Sequence, residues 1–133
     1  MRLYPPAYLV SRTALHATEL DGYPIRKGDV LFAGIYAMHY RPDYFPDPEA
    51  FRPERFAPEQ EKQLPRSAYL PFGGGPRICI GNHFALMEGQ LLLATLAQRV
   101  TFEVVPGQSL ELDPNKSLTM RTKDPITMIV QRR

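Results

Sequence analysis

Apolar and polar residues alternate over short stretches in the first third of the chain, a pattern typical of short strands. The alternation surrounds Asp21-Gly22, a dipeptide suited to a tight hairpin turn because both positions tolerate positive φ. We therefore predict strands over residues 18–21 and 23–26. A turn follows at 27–29, and the almost wholly apolar run 30–36 predicts a strand that is covered on both faces.

The rest of the chain contains a long loop, one helix and further strands. Prolines recur throughout residues 41–65 and forbid a long helix there, so this stretch is predicted to be an ordered loop. Residues 81–99 carry apolar side chains over most of a helical surface, which predicts a largely buried helix with Asn82 as its N-cap. Strands are predicted around 100–104 and over 126–130. The fold class that this order indicates is α+β.

Composition and charge narrow the class of protein. The 133 residues are 44% hydrophobic and 23% charged, and this length predicts one domain with no internal boundary. A net charge of +2 with interleaved signs argues against a nucleic-acid partner. The apolar runs are shorter than the roughly 18 residues that a membrane-spanning helix needs. The single cysteine indicates a reducing compartment, so we predict a cytoplasmic location.

Residues 72–81, with the sequence FGGGPRICIG, are the most informative segment. Consecutive glycines let the backbone approach a large or flat group, and Cys79 lies near a predicted helix start, where the helix dipole favours an anion. A phosphate-binding loop would end in Gly-Lys-Ser/Thr, and a dinucleotide fingerprint would need glycine in place of Ile78, so neither motif fits. A cysteine nucleophile beside His83, or a buried structural cysteine, remains an alternative.

The same run resembles the haem-binding signature of the cytochrome P450 family, Phe-Gly-x-Gly-x-Arg-x-Cys-x-Gly, and matches it at every specified position. The sequence RLYPP from Arg2 resembles the end of the family's Glu-x-x-Arg helix, and FRPERF at 51–56 resembles its Pro-Glu-Arg-Phe segment. The resemblance covers essentially all 133 residues. It implies a partial domain, the proximal haem-binding C-terminal third of a mainly α fold, with small hairpins, a long ordered loop and one buried helix after the cysteine loop.

The resemblance implies a role for individual residues. Cys79 would be the thiolate ligand of the iron in heme b, iron protoporphyrin IX, and therefore both the metal ligand and the catalytic residue. Arg12 and Arg77 would pair with the haem propionates. The other implied haem contacts are Pro71, Phe72, Gly73, Gly75, Ile78, Ile80, Gly81 and Ala85. The positions that correspond to substrate contacts are Ala7, Leu9, Ser117, Leu118 and Thr119.

The family pattern also implies that Arg2 and Arg55 share a buried glutamate. That glutamate would lie three positions before Arg2, outside the 133 residues, so we expect the sequence to be a fragment whose partner is the missing N-terminal part of the same fold. In this family a membrane anchor, where one is present, precedes all the residues seen here. The three histidines show no metal-ligand spacing and are expected to be surface groups or locally hydrogen-bonded.

The function that the resemblance implies is a haem-thiolate monooxygenase. Such an enzyme uses O₂ and two electrons, supplied from NAD(P)H through a flavin or iron-sulfur redox partner, to oxidise a small hydrophobic substrate. Lys62, Arg66 and Arg99 could join a basic face for that partner, but scattered charges of this kind are interpreted as solvated. The alternative is a non-catalytic haem-binding remnant that lacks the distal oxygen-activating helix.

Overall fold

The computed structural model describes residues 1–113 and 119–133, so Ser117 and Leu118 lie outside the described residues. These residues form two compact units, Met1–Gly73 and Gly74–Arg133. Both combine short strands with helices, which confirms the predicted α+β class.

The strands of the first unit form two antiparallel pairs. Strand β1, Leu9–Thr13, pairs with β4, Val30–Gly34. Strands β2, Thr18–Leu20, and β3, Tyr23–Ile25, form a hairpin. The turn between them has φ of 51° at Asp21 and 81° at Gly22, so the predicted hairpin and its turn residues are confirmed.

The prediction of one long strand covered on both faces is wrong. Strand β4 ends at Gly34, and the short helix α1, Ile35–His39, follows it directly. Val30 is 52% exposed and Phe32 is 65% exposed. The reason is that β4 pairs with β1 in a sheet of only two strands, which offers little cover to either face.

The buried core of the first unit lies around α1 and the loop that follows it. Its buried apolar residues are Pro5, Ile35, Phe45 and Ala68. The buried polar side chains of Arg2 and His39 belong to the same core. The proline-rich stretch is an ordered loop as predicted. It contains a 3₁₀ turn at Pro53–Phe56 and a one-turn helix α2 at Pro58–Glu61, and each begins with a proline, where the missing N–H costs nothing.

The described residues of the second unit contain one long helix and one antiparallel pair of strands. A 3₁₀ turn at Gly75–Arg77 precedes helix α3, Asn82–Arg99. Strand β5, Val100–Val104, follows at once and pairs antiparallel with β6, Met128–Arg132. The long helix and the strands therefore lie close to where the sequence predicts them.

Two details of α3 differ from the prediction. The N-cap is Gly81 and not Asn82, whose Oδ1 accepts a hydrogen bond from the main-chain N of His83 at 2.7 Å. The helix is also not buried in this chain, because Phe84 is 64% exposed and Leu93 is 70% exposed. A helix that is apolar on most sides needs several partners, and the described residues of this unit offer it one pair of strands.

Two glycines provide a matched test of backbone effects. A Cβ added at Gly89, inside α3, or at Gly22 would meet no atom within 4 Å, but Gly22 has a φ of +81°. Because glycine loses more entropy than alanine in a helix, Gly89→Ala is expected to raise the free energy of unfolding by about 0.5–1 kcal/mol. Gly22→Ala is expected to lower it by about 1 kcal/mol because alanine is strained at that φ. Urea unfolding of both variants checks this, and shifts of the same sign would contradict it.

Candidate functional site

The glycines of the cysteine loop are required by its backbone. Gly73, at the end of the first unit, has φ of +73° and donates its N–H to the carbonyl of Leu70 at 3.0 Å. Gly75, in the second unit, has φ of +68°, and Ile78 N donates to its carbonyl at 3.1 Å. A Cβ at either glycine would meet nothing within 4 Å. Both positions therefore favour glycine for conformation and leave open space beside the backbone.

Cys79 presents an exposed free thiol at the start of α3. Asn82 N donates to the Cys79 carbonyl at 3.4 Å, and Ala85 N donates to the Gly81 carbonyl at 2.9 Å as the helix begins. A Cβ at Gly81 would lie 4.0 Å from the Cys79 sulfur, so glycine leaves that side of the sulfur open.

The surroundings of Cys79 fit a large apolar cofactor that carries a metal. Ile78 is 50% exposed and Ile80 is fully exposed, so apolar surface flanks the cysteine on both sides in the chain. The exposed cation of Arg77 lies two residues before the sulfur. A thiolate ligand, apolar flanks and a cation suit a haem, whose iron accepts sulfur and whose edge carries carboxylates. The exposure of Cys79 also shows that the alternative of a buried structural cysteine is wrong for this chain.

The side chains that commonly bind metal ions in proteins do not cluster in the described residues. Within residues 1–113 and 119–133, no three His, Cys, Asp or Glu side chains are placed to hold a metal ion together. A haem iron needs few protein ligands because the porphyrin brings its own nitrogens.

The other predicted haem and substrate contacts that precede Gly74 lie in the first unit. Pro71 and Phe72 are half-buried, and Ala7 and Leu9 are exposed. Arg12 lies in β1 and donates Nη1 to the carbonyl of the preceding residue at 2.7 Å. Because side chains alternate along a strand, Leu9 and Arg12 extend from opposite faces of β1. Thr119, in the second unit, is exposed.

Arg2 is the most deeply buried charged residue in the first unit, with 5% of its surface exposed. Its Nη1 donates a hydrogen bond to the carbonyl of His39 at 2.9 Å, and its Nη2 donates one to the carbonyl of Ala50 at 3.1 Å. Its guanidinium lies 5.7 Å from the ring centre of Tyr40 and 5.1 Å from that of Phe45. The side chain therefore ties the N-terminal residues to α1 and to the long loop.

Arg55 lies close enough to Arg2 for the two charges to interact. Burial is the main cause that lowers the pKa of Arg2, and the charge of Arg55 lowers it further. Arg55 donates Nη2 to the carbonyls of Pro46 and Asp47 at 2.5 and 2.9 Å. Its Nε is buried and has no hydrogen-bond partner in the described part of the chain. The two arginines thus form a site with unused capacity for an acidic group.

The sequence did not identify His39 as a central residue. It is fully buried, and its Nδ1 lies 3.2 Å from the carbonyl of Arg2 while Leu70 N donates to its Nε2 at 3.0 Å. The expectation of a surface or locally hydrogen-bonded group is wrong for His39, because the ring is buried and its hydrogen-bond partners lie 37 and 31 residues away along the chain. A signal was present, because His39 follows the buried Ile35 by four residues and such positions share one face of a helix.

None of the helices in the described residues is long and apolar enough to cross a membrane. This finding concerns residues 1–113 and 119–133.

Comparisons with known proteins identify the family of this chain. The sequence profile described as Cytochrome P450 matches residues 1–130. Cyclooctatin synthase of Streptomyces melanosporofaciens is 40% identical over 133 residues, which are 100% of this chain and 28% of that protein. Putative cytochrome P450 132 of Mycobacterium tuberculosis is 41% identical over 132 residues, which are 99% of this chain and 28% of that protein.

A solved structure shares the fold. The retinoic acid bound cyanobacterial CYP120A1 superposes with a TM-score of 0.91 at 35% identity, and the match covers 99% of this chain and 30% of that chain. The chain spans about 28% of the length of the two relatives named above. The profile match, these relatives and the shared fold show that this chain belongs to the cytochrome P450 family.

Proposed function

We propose that residues 1–133 are the cysteine-bearing part of a single haem-thiolate monooxygenase domain. The observation that carries the proposal is the exposed sulfur of Cys79 at the start of α3, inside a loop that matches the family signature. The enzyme would insert one oxygen atom of O₂ into a small hydrophobic substrate. It would draw two electrons from NAD(P)H through a flavin or iron-sulfur partner, in the cytoplasm.

Cys79 would bind the iron of heme b as an anion. When bound, the haem supplies the metal at which dioxygen is activated, and an anionic sulfur ligand favours cleavage of the O–O bond. The protein's part is to present the sulfur and keep it accessible. Cys79 is exposed, and Gly81 leaves one side of the sulfur open.

The residues around Cys79 would hold the macrocycle. The open space beside Gly73 and Gly75 allows a flat group to approach the backbone, and Ile78 and Ile80 offer exposed apolar surface. The further proposed haem contacts are Pro71, Phe72, Gly81 and Ala85.

Arg77 is expected to contribute to haem affinity through a propionate. Replacing it with alanine removes a cation that can form charge-assisted hydrogen bonds with a carboxylate, so haem binding is expected to weaken about fivefold to tenfold. Arg12→Ala is expected to act in the same direction. Arg66→Ala is the matched control, because this arginine is also exposed but is assigned no haem contact. Absorption titrations with haem measure the affinities, and equal affinity in the Arg77 and Arg66 variants would exclude the propionate role.

The proposed substrate contacts are Ala7, Leu9 and Thr119, all of which are exposed side chains. The corresponding proposals for Ser117 and Leu118 concern positions outside the described residues. Exposed small and apolar side chains can line a pocket for a hydrophobic molecule once other parts of an enzyme cover them.

Arg2 and Arg55 would receive the carboxylate of the glutamate that the family pattern implies. The buried Nε of Arg55 and the mutual repulsion of the two cations support this role. A carboxylate placed between them would accept a hydrogen bond from Nε and offset the repulsion.

A second candidate function is a haem-binding module without turnover. It is supported by the exposure of α3, no residue of which is buried in this unit. A site in which most apolar surface is open to water does not exclude water from the reacting atoms. The two candidates share the ligand and differ only in whether a product forms.

The test combines spectroscopy with turnover. The chain is loaded with haem, reduced and exposed to CO, and a strongly red-shifted Soret band is expected if a thiolate binds the iron. An unshifted band would overturn the assignment of Cys79. Turnover with a supplied reductase or peroxide then separates the candidates, because binding without product identifies the module.

A further inference from the structure

The imidazole of His39 joins two distant parts of the first unit. It stands at the last position of α1 and is fully buried. Nδ1 lies 3.2 Å from the carbonyl of Arg2, and Nε2 lies 3.0 Å from the main-chain N of Leu70. The two partners are 37 and 31 residues away along the chain, so one ring links three separate segments.

The partners determine which form of the imidazole can occupy this place. The carbonyl of Arg2 can only accept a hydrogen bond, and the N–H of Leu70 can only donate one. Only the neutral ring with its proton on Nδ1 satisfies both. A doubly protonated ring would direct the N–H of Nε2 at the N–H of Leu70, and this contact is repulsive.

Leu70 leads directly into residues that the proposed function assigns to haem. Its N–H is the last main-chain donor before Phe72, because Pro71 has none. Its carbonyl accepts the N–H of Gly73 at 3.0 Å, which closes the turn in which Gly73 adopts φ of +73°. His39 therefore holds the N–H of Leu70, and the carbonyl of the same residue fixes the Phe72–Gly73 turn.

We propose that His39 is a positioning residue which, in its neutral Nδ1–H form, fixes Pro71, Phe72 and Gly73 by accepting the amide proton of Leu70. Its importance for catalysis rests on the proposed haem contacts of those three residues. Protonation of the ring releases Leu70 and loosens the turn, so the arrangement responds to acid.

The charges around the ring favour the neutral form. The Arg2 guanidinium and the Met1 ammonium both face it, and the ring of Tyr69 lies 5.2 Å away between centroids. Burial, as the largest cause, and these two cations lower the pKa of His39 below 6.5, while its hydrogen bond with the carbonyl of Arg2 acts in the opposite direction. The unfolded chain therefore takes up the proton first on acidification. The contribution of the neutral His39 ring to the free energy of unfolding is complete above pH 6.5. It is lost as pH falls through the lower pKa of the folded state.

Two substitutions separate the two hydrogen bonds. In His39→Gln the side-chain oxygen can occupy the place of Nε2 and still accept from Leu70. In His39→Asn the side-chain NH₂ can occupy the place of Nδ1 and still donate to Arg2, but Leu70 loses its acceptor. Amide hydrogen exchange on the 133-residue chain, with and without haem, is expected to show Leu70 about fivefold less protected in His39→Asn and nearly unchanged in His39→Gln. The control is the amide of Phe45, which donates to the carbonyl of Arg41 at 2.9 Å and does not involve His39.

NMR correlations of the imidazole nitrogens provide the second measurement. The wild-type ring is expected to carry its proton on Nδ1 at neutral pH, and Leu70 protection is expected to fall together with ring protonation below pH 6.5. A proton on Nε2, or equal loss of protection at Leu70 and Phe45 in both variants, would overturn the proposal. The thiolate band could be missing although the ring carries its proton on Nδ1 and His39→Gln keeps the Leu70 amide protected. That combination would reject the haem function and leave the positioning role intact.

Discussion

Replacing Cys79 with histidine is expected to remove the red shift of the carbonyl Soret band from the haem-loaded, reduced chain. Histidine can still bind iron, but its neutral imidazole donates less electron density than an anionic sulfur. The change in band type is expected to be complete, because Cys79 is the only cysteine in the sequence and no other thiolate can replace it.

Two controls accompany this substitution. Cys79→Ala removes the sulfur and supplies no other ligand at this position, so it is expected to abolish the thiolate band. Leu93→Ala changes an exposed residue of α3 that is assigned no haem contact and leaves the sulfur, so the red-shifted band is expected to persist. A thiol reagent gives an independent reading, because the exposed sulfur should react quickly without haem and slowly with it. A red-shifted band in the histidine variant would show that the iron is bound elsewhere.

The sequence predicted those parts of the fold that depend on local chemistry. Asp21 and Gly22 form a hairpin turn because their residue types tolerate the left-handed backbone that such a turn needs. The prolines of the long loop limit it to single turns, whatever packs around it. Cys79 could be singled out as a candidate haem ligand because the signature around it is contiguous in the sequence. The positive φ at Gly73 and Gly75 is what that residue type suggests.

The parts that were missed depend on distant partners. Strand β4 ends where α1 begins, and its pairing with β1 places Leu9 opposite Gly34, a relation that no short pattern contains. The apolar residues of α3 predicted burial, but the covering surface is not supplied by this unit. His39 acquires its role only from the carbonyl of Arg2 and the amide of Leu70, which are remote in sequence.

Arg2 shows how strongly a distant contact can contribute to stability. Arg2→Met is expected to lower the free energy of unfolding by about 3–5 kcal/mol. The substitution keeps much of the apolar volume, so the loss comes mainly from the carbonyls of His39 and Ala50, which would remain without these donors. The contacts of the guanidinium with the rings of Tyr40 and Phe45 are lost as well.

The comparison with lysine separates charge from shape. Arg2→Lys keeps the positive charge, but one ammonium cannot match the planar fork that reaches the carbonyls of His39 and Ala50. We expect it to recover less than half of the stability lost in Arg2→Met. Arg12→Met, at an exposed arginine, is the matched control and is expected to change stability by less than about 0.5 kcal/mol. Urea unfolding followed by circular dichroism measures all three variants. If Arg2→Lys were as stable as the wild type, charge alone would account for the site, and the two directed hydrogen bonds would contribute nothing measurable.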